Sequence, residues 1–373
     1  MKGWDEYESL RTLLGAPVMP YDLPPHYTRK VMRSMGKVAL YATMASEKAL
    51  IDAGLLGDDI ITNGKTGIAY GSSTGTPESI ADFGRMLANK TIDELNANSY
   101  IRMMPHTTTS NIGIFFGITG RIIPSSTACT SGSISIGYAY ETIKSGKQTV
   151  MLAGGSEELC VTEAAVFDLM YATEIDNDNP EQCPKPFDND RKGLVVGEGA
   201  ATLVLEEYDR AIERGAKIYA EIIGFGTNSD GAHVTNPNQD TMAKAMTLAL
   251  DDAEINAEDI HYINGHGTGT DRGDIAETCA THSVFGDGVP FSAFKGYIGH
   301  TLAAAGSLEA WMSIHMLNEG WFAPNLNLRN LDEDCGALDY IRDDKRHIDR
   351  ATTIMSNNFA FGGVNTSLIF RKI

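Results

Sequence analysis

A twelve-residue stretch of this chain occurs twice, two hundred positions apart. Ala49-Leu50-Ile51-Asp52-Ala53-Gly54-Leu55-Leu56-Gly57-Asp58-Asp59-Ile60 returns as Ala249-Leu250-Asp251-Asp252-Ala253-Glu254-Ile255-Asn256-Ala257-Glu258-Asp259-Ile260, with half the aligned residues identical. Each copy has the pattern of a helix end running into a strand. Each is followed by a glycine-bearing loop, Gly71-Ser72-Ser73-Thr74-Gly75 in the first case and Gly265-His266-Gly267 in the second. Agreement in sequence, position and sequel points to an internal duplication rather than a chance amphipathic match. Strands alternating with helices in each copy predict two α/β halves, each built on a mixed sheet. The charged Glu206-Glu207-Tyr208-Asp209-Arg210 separates the two patterns and sets the expected halves at 1–207 and 208–373.

The residues able to carry chemistry fall at predicted strand ends. In Ser125-Ser126-Thr127-Ala128-Cys129-Thr130-Ser131-Gly132, the strand before the cysteine stops near Pro124, and Ile136, Tyr140 and Ile143 recur at helical spacing until Gly146. Cys129 therefore lies at or near a helix N-terminus, where unpaired N–H groups favour thiolate and can hold a developing oxyanion. A free cysteine is equally a small buried hydrophobe, and Cys160, Cys183, Cys279 and Cys335 keep that reading. There is no C-x-x-C pair, so neither a zinc site nor a disulfide framework is indicated. His266 follows the strand-like His261-Tyr262-Ile263-Asn264 in a loop of glycines and threonines. His300 follows Val289 to Phe294, with Lys295 at the strand end and the small-residue run Leu302-Ala303-Ala304-Ala305-Gly306 behind it. Taken singly, either histidine reads as readily as a surface or capping residue.

Together these segments resemble the β-ketoacyl-acyl-carrier-protein synthases, condensing enzymes of the thiolase superfamily. The likeness continues through Val195-Val196-Gly197-Glu198-Gly199-Ala200, through Asp274 and Glu277, and through Ser356-Asn357-Asn358-Phe359-Ala360-Phe361-Gly362-Gly363-Val364-Asn365, from about Tyr27 onward. It is to the elongating synthase I/II type: the initiating branch carries Asn where His300 stands, and a chain-length factor lacks the cysteine. The resemblance implies a duplicated five-layer α-β-α-β-α fold with the site where the halves meet. It implies acyl transfer to Cys129, then decarboxylative Claisen condensation with malonyl-carrier protein, His266 and His300 donating N–H bonds to the malonyl thioester oxygen. Lys295 and Glu277 would form a charge pair around the histidines. The N–H groups of Cys129 and Phe361 would form an oxyanion hole, Phe361 would gate the acyl pocket, and Thr268 and Thr270 would meet the pantetheine amides. A homodimer is implied, with acyl carrier protein as partner, its phosphopantetheine carrying the substrates, and with no metal or other cofactor. Three departures stand out: Lys295-Gly296 where the family has Lys-Ser, Ala303 where a glycine is usual, and no hydrophobic strand running into Thr-Gly-x-Gly before Trp4. The expectation is that the first sheet lacks its opening strand and that the chain begins inside a longer reading frame.

A net charge of −19 argues against nucleic acid as a partner, since a phosphate-binding surface needs clustered Lys and Arg. One local basic run, Arg29-Lys30-Val31-Met32-Arg33, resembles the docking helix of the synthase I type. Lys30 and Arg33 are expected to face the acidic carrier at helical spacing, although such a run is otherwise an ordinary solvated face. No apolar run reaches bilayer length, the first residues form no secretory signal, and unpaired cysteines suit a reducing cytoplasm. No H-E-x-x-H, P-loop or dinucleotide fingerprint is present. Other readings are a ketosynthase of an aryl-polyene or polyketide pathway, a noncatalytic partner subunit, and a thiolase-like degradative enzyme or acyl hydrolase using a different second base.

Overall fold

The computed structural model describes residues 1–373. Its first half runs through α1 (Lys37–Asp52), β1 (Thr66–Gly71), β2 (Ile122–Ser125), α2 (Ser131–Lys144), β3 (Val150–Glu157), α3 (Val161–Leu169) and β4 (Gly199–Glu206). The second half runs through β5 (Glu221–Ser229), α4 (Gln239–Ala253), β6 (Tyr262–Gly265), α5 (Asp271–Phe285), β7 (Pro290–Ala293) and α6 (Ala305–Glu319). It closes with β8 (Trp321–Phe322), β9 (Asp339–Tyr340), β10 (Arg346–His347), β11 (Thr353–Ala360) and β12 (Val364–Arg371). The first residues of each repeated stretch end α1 or α4, its last residues enter a 3-10 turn, Asp59–Ile61 or Ala257–Asp259, and each copy leads into the corresponding strand, β1 or β6.

The first sheet has the order β2-β1-β3-β4 and the second β5-β12-β11-β6-β7-β9. In the first, β2, β1 and β3 are parallel and β4 runs antiparallel to β3; in the second, β11, β6, β7 and β9 are parallel and β12 runs antiparallel to β11. Strands β1, β2, β3 and β4 thus correspond to β6, β7, β11 and β12. The halves differ at both edges, because β12 pairs onward with β5 and β7 with β9, whereas β4 and β2 end the first sheet.

Parallel strands bury both faces and need helices on both sides, and β1 and β3 are buried at every position. The central helices α2 and α6 pack between the two sheets, with α1 outside the first and α4 outside the second, which gives five layers. The two central helices can cross closely because each opens with a Gly-Ser pair. A Cβ on Gly132 would lie 2.8 Å from the Ser307 backbone nitrogen, and one on Gly306 would lie 2.7 Å from that of Ser133. One apolar cluster, including Ile134, Met151, Phe225, Tyr262 and Leu368, joins both sheets through this layer. No helix is long and apolar enough to cross a membrane.

Candidate active site

In α/β sheets, ligands collect at the carboxyl ends of parallel strands, and here those ends converge at the joint between the halves. Cys129 sits in a single 3-10 turn, Ala128–Thr130, that precedes α2. His266 directly follows β6, and His300 stands shortly before α6. His300 is held by backbone pairing with the Val195–Gly197 segment of the first half, its N–H to Val195 O at 2.7 Å and its carbonyl accepting from Gly197 at 2.8 Å. All three side chains are buried.

The hydrogen bonds fix which ring nitrogen of each histidine carries hydrogen. Nδ1 of His300 accepts the Leu302 backbone N–H at 3.2 Å, so in the neutral ring hydrogen resides on Nε2, which lies 3.0 Å from the Cys129 sulfur. Nδ1 of His266 faces the Lys295 ammonium at 3.0 Å and the Asn358 amide at 3.3 Å, both donors. Its Nε2–H is buried and has no partner. Burial, reinforced by the Lys295 charge, holds both rings well below the ordinary histidine range, with the neighbouring His300 adding to the effect on His266. Two neutral imidazoles, their centroids 5.1 Å apart and nearly perpendicular, therefore present N–H groups to one space.

The ion pair expected between Lys295 and Glu277 is not formed. Lys295, fully buried, instead pairs with Glu309 of α6 at 2.6 Å and also donates to the His266 carbonyl. The other Glu309 oxygen accepts from Asn358 at 2.6 Å. Glu277 accepts the backbone N–H groups of His266 and Gly267, the latter at 2.7 Å, and so shapes the loop. Burial pushes the Glu277 carboxyl up to about 8. Glu309 belongs to no motif in the sequence. Its signal was the spacing of Ala305, Glu309 and Ser313, which places an acid on the buried face of α6 and so demands a partner.

A helix start favours thiolate, but burial outweighs it and pushes Cys129 up to about 11, against the opposing pull of Lys295 and of the Phe361 and Cys129 N–H groups turned toward the sulfur. A cavity of about 640 Å³ reaches Cys129, His266 and His300 and is lined by Thr268, Thr270 and Phe361. The two threonine hydroxyls lie 2.8 Å apart, and Phe361 stacks on Phe167 of α3 at 5.3 Å. Lys30 and Arg33 are exposed but do not line this cavity, and the expected docking helix is one 3-10 turn, Met32–Ser34. Cys129, His266 and His300 bring their donor atoms within 4.8 Å of one another. That thiol-imidazole set would suit zinc, but each Nε2 here carries hydrogen and offers no lone pair.

A buried cysteine facing two imidazole N–H donors at the joint of a duplicated α/β fold defines an acyl-transferring condensing enzyme of the thiolase-like class. Residues 15–211 match the beta-ketoacyl synthase N-terminal domain and residues 219–329 the beta-ketoacyl synthase C-terminal domain, and the chain belongs to the β-ketoacyl synthase family. It is 37% identical over 348 residues to 3-oxoacyl-[acyl-carrier-protein] synthase 1 of Escherichia coli (strain K12), covering 92% of this chain and 84% of that protein. The crystal structure of a beta-ketoacyl synthase from Burkholderia phymatum STM815 is 57% identical, with a TM-score of 0.98 over 99% of this chain and 90% of that one. A ketosynthase solved with its type II polyketide acyl-carrier protein and a bound hexaketide is 29% identical, with a TM-score of 0.81 over 90% of this chain and 85% of that one.

Proposed function

We propose that this chain is a β-ketoacyl-acyl-carrier-protein synthase that elongates acyl chains in fatty acid biosynthesis. The observation that carries this reading is the pair of neutral histidines whose Nδ1 atoms are both occupied by donors, leaving two Nε2–H groups beside the Cys129 sulfur. In the first half-reaction the sulfur attacks the acyl thioester borne by the phosphopantetheine of acyl carrier protein. A new C–S bond forms as the old one breaks, and the thiol's proton leaves with the pantetheine sulfur. The transient oxyanion is met by the N–H groups of Cys129 and Phe361.

In the second half-reaction malonyl-carrier protein loses carbon dioxide, and the electrons of the broken C–C bond become an enolate. His266 and His300 donate to the enolate oxygen, an interaction that strengthens only as charge develops. The enolate carbon then attacks the Cys129 thioester, the C–S bond breaks with its electrons returning to sulfur, which takes a proton from solvent to restore the thiol, and the lengthened β-ketoacyl group leaves on the carrier. Lys295, paired with Glu309, is a positioning residue for His266. Thr268 and Thr270 meet the pantetheine amides, and the substrates themselves supply the only prosthetic arm.

Acyl carrier protein is the proposed partner, a role supported by the carrier-bound ketosynthase that this chain resembles. Lys30 and Arg33 supply the basic docking points, the protein acts as a homodimer, and its five free cysteines suit a reducing cytoplasm. That same neighbour, with its bound hexaketide, favours a second reading as the ketosynthase of a polyketide or aryl-polyene pathway. Incubation with malonyl-carrier protein and acyl-carrier proteins of graded length, read by mass spectrometry, separates the two. Single two-carbon extension of saturated acyl chains supports elongation in fatty acid biosynthesis. Repeated extension without reduction supports the second reading, and no extension contradicts both.

A further inference from the structure

The turns that open α2 and α6 are built alike. Ala128 and Leu302 both adopt the left-handed backbone, with φ of +50° and +46°. Each begins a 3-10 turn, Ala128–Thr130 or Leu302–Ala304, and each turn is followed by a Gly-Ser pair. Ala303 therefore stands where Cys129 stands in the other half. The loops leaving β1 and β6 correspond as well, so that Ser72 and Ser73 stand where His266 and Gly267 stand.

Into this second cradle of donors reaches Glu157, the fully buried last residue of β3. One carboxyl oxygen accepts the N–H of Ser73 at 2.9 Å and that of Ala303 at 3.3 Å. The other accepts the hydroxyls of Ser72 at 3.1 Å and Thr74 at 3.4 Å. The Ala303 N–H is the counterpart of the Cys129 N–H that faces the thiol, and a carboxyl group of the protein's own has taken the place of a reacting oxyanion.

This contact bears on His300. A non-glycine residue in the left-handed region is strained and persists only where its surroundings over-determine it. Leu302 is such a residue, and its N–H is the donor that sets the tautomer and rotation of the His300 ring. We propose that Glu157 is a positioning residue for His300: by holding the Ala303 N–H and the Ser72–Thr74 loop together, it pins the Leu302 turn from the opposite half of the molecule. This rests on the role proposed above for His300.

The test is decarboxylation of labelled malonyl-carrier protein by Glu157→Asp, Glu157→Gln, His300→Ala and the double variants, with thermal melts alongside. Shortening the side chain by one methylene draws the acceptor away from Ala303, and Glu157→Asp is expected to release carbon dioxide about tenfold more slowly or worse. Glutamine keeps one oxygen for both N–H groups and can donate to the two hydroxyls, so Glu157→Gln should stay within about threefold of the parent rate. In the His300→Ala background the aspartate should cost nothing further, because the residue it positions is gone. A parental rate for Glu157→Asp, or losses that multiply in the double variant, overturns the proposal. Should Glu157→Asp not fold, Ser72→Ala is the milder probe, with a loss of about threefold that must likewise vanish beside His300→Ala; an equal fractional loss in both backgrounds overturns it. A parental rate for His300→Ala alone would instead remove that histidine from the mechanism.

Discussion

Cys129 and Ala303 occupy equivalent turns of a duplicated frame and have opposite fates. Around Cys129 the backbone N–H groups of Cys129 and Phe361 face the sulfur at the end of a cavity. Around Ala303 the corresponding N–H is covered by the Glu157 carboxyl, and no cavity is needed. The loops show the same division, His266 standing in the second half where Ser72 stands in the first. Duplication preserved the backbone, its strained turns and its donors, and the side chain facing those donors decides which copy can do chemistry. The proposed site is assembled across the joint, with the thiol from one half and both imidazoles from the other.

The comparison is tested most severely at the ion pair that supports His266. Lys295→Met leaves Glu309 buried without its cation and is expected to cost about 3–5 kcal/mol in denaturant unfolding. Lys295→Met with Glu309→Gln should recover most of that loss. If the single variant is as stable as the parent, the buried pair has been misread. Next comes the crossing of the central helices, where the two halves should behave alike. Gly132→Ala and Gly306→Ala each force a Cβ against backbone and should each cost about 1–3 kcal/mol. A large effect at one and none at the other would break the equivalence of the two turns.

The carboxyls behind the Ala303 turn give a pH-dependent difference. Thr74 bridges Glu157 to Glu163, and burial raises both acids, Glu163 to about 9 from an ordinary value of 4.5. Folded Glu163 thus keeps a proton that the unfolded chain releases, and the stability it contributes is full below pH 4.5 and lost as pH rises through about 9. Glutamine permanently mimics the protonated form. Glu163→Gln should match the parent at pH 5 and melt higher at pH 8, by on the order of 2 °C. A lower melting temperature at pH 8 would mean that the ionised form is the one the fold holds.

The smallest effect is expected at the rim. Lys30→Glu with Arg33→Glu should raise the apparent KM for carrier-borne substrate by about tenfold at low salt, fading as salt screens the surface. The loss should be confined to carrier-borne substrate. An equal loss toward a short pantetheine thioester would point to damage of the fold instead.

Much of this was legible because it depends on local pattern. The repeat announced the two halves, and the glycine loops placed His266 and His300 beside the cavity that Cys129 shares. What escaped depends on contacts across the joint. Glu277 lies nearer to the His266 loop in sequence, yet its carboxyl turns to the loop's N–H groups and Glu309, from α6, takes Lys295. The thiolate expected at a helix start ignored the burial that sets the thiol near 11. Glu157 carried no motif at all, because its four donors come from a loop in one half and a turn in the other.

The central claim is that sulfur and imidazoles serve separate half-reactions, and it is tested by measuring both on Cys129→Ala, His266→Ala and His300→Ala. Intact mass after incubation with acyl-carrier protein reads acyl transfer, and carbon dioxide from labelled malonyl-carrier protein reads enolate formation. The expected result is no acyl-enzyme but persisting carbon dioxide release for Cys129→Ala. Each histidine variant should form the acyl-enzyme and lose about 100- to 1000-fold in carbon dioxide release. Acyl-enzyme on Cys129→Ala, or parental carbon dioxide release by either histidine variant, would contradict this division of labour.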